Sequence, residues 1–101
     1  VKQMVYTVTW SHEALSDIEE IGEFLERSSP RYASAVVSSL LDIARKLRHF
    51  PFSSRVVPEV GEQTIREKFA HGYRIIYRIA DQQVIIVAVI HGKRQFPFEV
   101  N

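Results

Sequence analysis

The 101-residue sequence has no cysteine, only four glycines and four prolines, and no long apolar run. Without cysteine it has no disulfide framework and no thiolate metal site, which fits a reducing cytoplasm. No segment approaches the roughly 20 apolar residues that span a bilayer, and residues 1–4 lack the apolar stretch of a signal peptide. We therefore expect a cytoplasmic protein with no membrane partner.

The composition is typical of one globular domain, with 46% hydrophobic and 25% charged residues, so we treat residues 1–101 as a single unit. The net charge of +1 conceals an asymmetry. Residues 1–44 have three Lys/Arg and seven Asp/Glu (−4), whereas residues 45–101 have ten and five (+5). A basic half predicts an anionic partner, either nucleic acid or an acidic peptide. The alternative is that both signs merely cover solvated faces.

The first half of the sequence predicts one strand and two helices. Residues 4–10 alternate in strand-forming types, and Ser11 is a typical helix N-cap. Ser29 and Pro30 mark the start of a second helix, expected to end near His49. The apolar stripes are Ala14, Ile18, Ile21 and Leu25, then Ala33, Val36, Val37, Leu40, Leu41, Ala44 and Leu47. Gly22, inside the first helix, indicates a close helix–helix approach.

The second half predicts a β-meander. Pro58 and Gly61 make residues 55–63 irregular, and strands then follow at residues 64–69, 73–79 and 84–90. The order strand, helix, helix, three strands predicts an α+β fold. The helical hairpin packs on one face of the sheet.

Strand pairing places the basic residues. If Ile79 lies opposite Val84, then Arg74 lies opposite Val89 and His91 falls on the same face as Arg74. Arg66 and Lys68 from the preceding strand and Arg94 beyond the last one would join them. A slip of one residue would break this arrangement. The predicted basic face carries Arg66, Lys68, Arg74, Arg78, His91 and Arg94.

Such a face suits RNA cleavage, which needs a base, an acid and cations for the phosphate. Histidine side chains titrate near neutral pH, so His91 or Glu59 could be the base, and Arg74 and Arg94 could hold phosphate. The structural alternatives are a strand-end surface histidine and ordinary outward-facing strand arginines. No histidine pair or carboxylate triad forms a metal motif, and we expect no cofactor.

The ordered set of motifs resembles the RelE/ParE superfamily of bacterial type II toxins over about residues 5–96. The motifs are Phe50-Pro51, Arg55-Val56-Val57-Pro58-Glu59, Ile65-Arg66-Glu67, Tyr73-Arg74-Ile75-Ile76-Tyr77-Arg78-Ile79 and Val89-Ile90-His91-Gly92-Lys93-Arg94, with Trp10-Ser11 near the start. The resemblance implies two helices against a small antiparallel sheet. It also implies a cognate antitoxin in a hetero-oligomeric complex.

The resemblance implies two alternative activities. RelE-like members cleave mRNA on the ribosome, and ParE-like members inhibit DNA gyrase without being known as enzymes. Arg74 and Arg94 match catalytic arginines of RelE-like nucleases. Glu59, Arg74 and His91 resemble the YoeB-like set, with His91 displaced by one position. The lysine pair and late tyrosine of RelE have no counterparts.

The helical hairpin, the Arg-x-x-Pro-Glu loop and the Ile-His-Gly-Lys-Arg ending favour the ParE-like branch. The expected function is therefore gyrase inhibition, with ribosome-dependent mRNA cleavage as the alternative. An inactive module of the same fold is a third hypothesis. The residues expected to contact the target or nucleic acid are Arg66, Lys68, Arg78 and Lys93.

Overall fold

The computed structural model describes residues 5–98. Within that range one sheet of five strands, in the order β1-β5-β4-β3-β2, is covered on one face by two helices. No helix there is long and apolar enough to cross a membrane. The elements are β1 (Thr7–Trp10), α1 (His12–Glu26), α2 (Pro30–Lys46), β2 (Arg55–Val56), β3 (Ile65–Ala70), β4 (Tyr73–Ala80) and β5 (Gln83–His91), with a 3-10 turn at Pro51–Ser53.

The helix starts lie at the predicted caps. The Ser11 hydroxyl accepts from the Ala14 N–H at 3.1 Å, and the Ser29 hydroxyl accepts from the Tyr32 N–H at 3.1 Å. Helix α2 ends at Lys46, three residues before the expected end, because i→i−3 hydrogen bonds tighten residues 47–49 into turns. The predicted first strand begins only at residue 7, and its residue 4 lies outside the described residues.

The helical hairpin packs on one sheet face, as predicted. A Cβ atom on Gly22 would lie 3.5 Å from Val37 Cγ2, which is ordinary contact rather than an unusually close approach. Leu41 was expected in the core but is exposed, because it lies about 90° from the centre of the buried stripe. The core residues of the two helices are Ala14, Ile18, Ile21, Ala33, Val36, Leu40 and Ala44.

The sheet is mixed rather than wholly antiparallel. Strands β3, β4 and β5 form the predicted antiparallel meander, but β1 pairs in parallel with β5. Residues 55–63 were predicted to be irregular, yet they contain the two-residue strand β2, which pairs Arg55 with Glu67.

A β-bulge changes the predicted register of the β4–β5 hairpin. Ile79 pairs with Val84 as predicted, but Val87 is left out of the pairing and Tyr73 pairs with His91. Because the bulge adds one residue to β5, every later side chain exchanges faces. The predicted placement of His91 on the same face as Arg74 is therefore wrong.

Candidate functional site

The outer face of the sheet, opposite the helices, holds a buried ion pair. Alternation along β3 and β4 directs Glu67 and Arg74 to this face, on adjacent strands and two residues out of register. Glu67 is 1% exposed and Arg74 is 4% exposed. The Arg74 guanidinium donates from Nε at 2.8 Å and from Nη2 at 2.5 Å to Glu67 Oε1. The pair satisfies two charges that burial would otherwise destabilise.

Glu59 completes the arginine's coordination from the loop after β2. Its two carboxylate oxygens accept from the two Nη groups of Arg74 at 2.9 and 2.8 Å, a bidentate geometry. Hydrogen bonding from Arg74 lowers the pKa of Glu59 to about 2. The same hydrogen bonds from Arg74 to Glu59 raise the pKa of Arg74. Both groups therefore stay ionised throughout the physiological range.

The cluster also fixes the C-terminal segment. Arg74 donates to the backbone carbonyl of Arg94 at 3.0 Å, and the Phe96 N–H donates to Glu59 at 3.2 Å. Arg55 pairs with Glu67 at 2.7 Å, so two arginines and two glutamates form a formally neutral network. We call Arg55, Glu59, Glu67 and Arg74 the outer-face cluster. It joins β2, β3 and β4 to the loop after β2 and to the segment after β5.

His91 lies on the helix face of the sheet instead. Its ring is 6.0 Å from the Tyr73 ring in an edge-to-face arrangement, as expected for paired residues on one face. The Lys93 N–H donates to its Nδ1 at 3.4 Å. The structure thus brings Glu59 and Arg74 together but separates both from His91.

A groove runs between α1 and the end of β5. In it, Asp17 accepts the Val89 N–H at 2.9 Å and so satisfies an amide just beyond the bulge. Burial raises the pKa of Asp17, while the Val89 hydrogen bond and the nearby Arg94 oppose that rise. The groove is lined by Asp17, Glu20, Ile21, Phe24, Tyr73, Val89, Ile90, His91 and Arg94.

The other predicted basic residues also fall on two faces. Arg66 lies on the helix face of β3, where it donates to the carbonyls of Phe52 (3.1 Å) and Ser54 (2.8 Å). Lys68 is exposed on the same face as Arg66, and Arg78 is exposed on the outer face. The single basic face predicted from the sequence is therefore wrong in its geometry, because the bulge and the strand alternation divide it.

Two residues of these sites were missed by sequence reasoning. Glu67 shares a face with Ile65 and Phe69, so strand alternation alone could have placed it beside Arg74. Asp17 directly precedes the buried Ile18, but nothing local indicates a hydrogen bond to a residue 72 positions away. Residues 5–98 contain no group of three or more potential metal ligands.

The comparison that decides the family covers nearly the whole fold. The family model described as "ParE toxin of type II toxin-antitoxin system, parDE" matches residues 8–96. The chain belongs to the ParE toxin family. A relative from Sinorhizobium fredii, named "Putative toxin Y4kP", is 29% identical to this ParE-family chain over 92 residues. That match covers 89% of this chain and 92% of the relative.

Solved structures share the fold of this ParE-family chain. A chromosomal ParDE system from P. aeruginosa matches with a TM-score of 0.72 at 13% identity, covering 86% of this chain and 96% of that one. The RelBE2 toxin–antitoxin complex of Mycobacterium tuberculosis gives 0.65 at 23% identity, covering 89% and 94%. A YoeB/ParE toxin from Agrobacterium tumefaciens gives 0.56 at 19% identity, covering 84% and 96%. At these identities the likeness concerns the fold.

Proposed function

We propose that this ParE-family toxin inhibits DNA gyrase by binding it and that a cognate antitoxin neutralises it. The observation that supports binding over RNA cleavage is the state of Arg74. Its guanidinium is buried and held by Glu59 and Glu67, so it offers no free charge to a phosphate.

Two further observations disfavour the nuclease alternative. A general base works best with a pKa near the operating pH, and Glu59 has a pKa of about 2. His91 lies on the opposite face of the sheet from Arg74, with Tyr73 as its neighbour. The four residues expected to serve RNA cleavage are therefore divided, with Glu59 and Arg74 on the outer face and His91 and Arg94 in the groove beside α1.

The exposed cations of the sheet and of the turn after β5 remain as candidates for target contact. Lys68, Arg78 and Lys93 project into solvent, and within residues 5–98 none forms a salt bridge. Electrostatic steering by such charges would speed association with an acidic surface. We propose that Arg78 contacts gyrase through the outer face; Lys68, on the helix face, would need a separate contact.

The groove between α1 and β5 suits the antitoxin. Exposed Phe24 and partly apolar walls provide hydrophobic contact, and Arg94 provides a cation at the rim. An amphipathic helix or extended segment that places its apolar side chains against Phe24 and Ile21 matches that surface. The ParDE and RelBE2 structures are named as toxin–antitoxin systems, which supports a hetero-oligomeric complex here.

A paired assay tests the target. Purified toxin is titrated against gyrase supercoiling and, in parallel, against in vitro translation with sequencing of mRNA ends. We expect supercoiling to be inhibited and mRNA to remain intact. Codon-specific cleavage with unaffected supercoiling would instead establish the RelE-like activity.

A pair of charge reversals tests the contact surface. Arg78→Glu should weaken gyrase inhibition. Arg31→Glu, which reverses the charge of another exposed arginine near the start of α2, should not. Equal effects of the two variants, or no effect of Arg78→Glu, would contradict the proposed surface.

A further inference from the structure

A hydrogen-bonded turn after α2 holds two phenylalanine rings in solvent. Phe50 is 65% exposed and Phe52 is 46% exposed, while Pro51 between them is buried. The Tyr77 hydroxyl donates to the Pro51 carbonyl at 2.6 Å, and the Ser53 hydroxyl donates to the Phe50 carbonyl at 2.7 Å. The turn is thus anchored to the sheet through its middle residue. The rings of Phe50 and Phe52 point into solvent and do not belong to the core.

Cations surround these two rings. The Arg66 guanidinium carbon lies 5.3 Å from the centroid of the Phe52 ring. Phe50 lines a shallow depression together with Arg45, Lys46, Arg48 and His49. We call Arg45, Lys46, Arg48, Phe50, Phe52 and Arg66 the turn surface.

The charge of the turn surface is strongly positive. Residues 43–58 contain four Lys/Arg and no Asp/Glu. Asp42 pairs with Arg45 at 2.5 Å and with Lys46 at 3.0 Å, and within residues 5–98 Arg48 forms no salt bridge. Four cations and one carboxylate leave the surface with a net charge of +3.

We propose that the turn surface binds single-stranded nucleic acid, with bases stacked on Phe50 and Phe52 and phosphates held by the surrounding cations. Exposed aromatic rings interleaved with cations are what non-specific single-strand binding uses, because every base has a face that can stack. A peptide of acidic residues alone would contact the cations but not the two rings, and a duplex conceals its base faces. The inference does not rest on gyrase as the target.

Fluorescence anisotropy with labelled oligonucleotides of about 12 nucleotides tests the proposal. Oligo(dT) and oligo(U) form two arms that distinguish DNA from RNA. With about three phosphate contacts, the affinity should fall about 20-fold between about 50 and 200 mM salt. The Phe50→Ala and Phe52→Ala changes should each weaken binding on the order of tenfold. Arg48→Glu should weaken binding and reduce its salt dependence.

Matched controls make the result decisive. Tyr32→Ala removes an exposed ring near the start of α2, and Arg31→Glu reverses a charge about 25 Å away along α2. Both variants should bind as the wild type does. Folding of each variant is checked by circular dichroism. The proposal fails if the variant that combines Phe50→Ala with Phe52→Ala binds oligo(dT) with the affinity of the wild type. It also fails if duplex DNA or an oligo-glutamate peptide of the same length competes as well as oligo(dT).

Discussion

Replacing Arg74 with methionine removes the cation that joins Glu59 and Glu67 while keeping much of the side-chain length. The variant loses the hydrogen bonds to both carboxylates and to the Arg94 carbonyl. Glu67, with 1% exposure, then depends on Arg55 alone. A buried carboxylate has lost its closest partner.

The expected cost follows from the burial of Glu67. Removing one member of a buried ion pair costs about 3–5 kcal/mol, because the other charge stays desolvated. Arg55 still compensates part of that charge at 2.7 Å, so we expect the lower end, about 3 kcal/mol. That is a large share of the roughly 5–15 kcal/mol that stabilises a typical domain.

Urea unfolding followed through Trp10, the single tryptophan, measures this cost as a fall in midpoint at constant m-value. The urea midpoint of Arg74→Lys should lie between those of the wild type and Arg74→Met, because one ammonium cannot reproduce the bidentate geometry. The Arg74→Met, Glu67→Met double variant should recover stability, because both buried charges are gone. Arg78→Met alters an exposed arginine on the same strand and face and should change stability by less than about 0.5 kcal/mol.

Two outcomes would refute this reasoning. One is an Arg74→Met protein within about 1 kcal/mol of the wild type, which would mean that the ion pair is not the main compensation for Glu67. The other is a double variant no more stable than the single one.

Three further predictions concern single contacts. The folded-state pKa of Glu59, about 2, lies below its ordinary value of 4.5, so its ion pair stabilises the fold above pH 4.5 and is lost as the pH falls toward 2. Glu59→Gln should therefore reduce the change of the urea midpoint with pH between pH 4.5 and 2. The same pH dependence in the variant as in the wild type would contradict the pairing. Asp17→Ala leaves the Val89 N–H without its acceptor and should cost about 1–2 kcal/mol, with Asn restoring most of it. Tyr77→Phe removes the donor to the Pro51 carbonyl; it should cost about 1 kcal/mol and speed amide exchange in the turn, and unaltered exchange would contradict the anchoring.

The helices could be predicted because their signals are local. Ser11 and Ser29 each cap through a side chain bonded to a backbone amide three residues later, and Pro30 is favoured at the first position of a helix but not in its interior. The buried stripes follow from spacing along one helix. None of these features depends on a residue distant in sequence.

The register of β5 could not be predicted, because residues 84–90 are apolar on both faces. Either register buries hydrophobic side chains, so the pattern imposes no penalty on a slip at Val87. The groups that accommodate the bulge come from the other end of the chain. The Ser11 hydroxyl donates to the Val87 carbonyl at 3.4 Å, and Asp17 accepts from Val89.

The outer-face cluster was predictable in part. Glu59 and Arg74 were both identified as candidate site residues, but their mutual neutralisation depends on burial. The loop after β2 and the C-terminal segment cover that face with Val57 and Phe96. Irregular segments that cover a face leave no periodic pattern in the sequence, so nothing in the sequence indicated that Glu67 would be buried.

The bulge makes the length of β5 as informative as its residues. Deleting Val87 would restore regular pairing but leave His91 opposite Tyr73, whereas regular pairing with every residue retained would bring His91 to the face of Arg74. An ungapped alignment with a chain that lacks the bulge residue would therefore equate, beyond Val87, side chains that lie on opposite faces of the sheet. The bulge and the number of residues in β5 therefore have to be known together before the side chains of β4 and β5 can be matched.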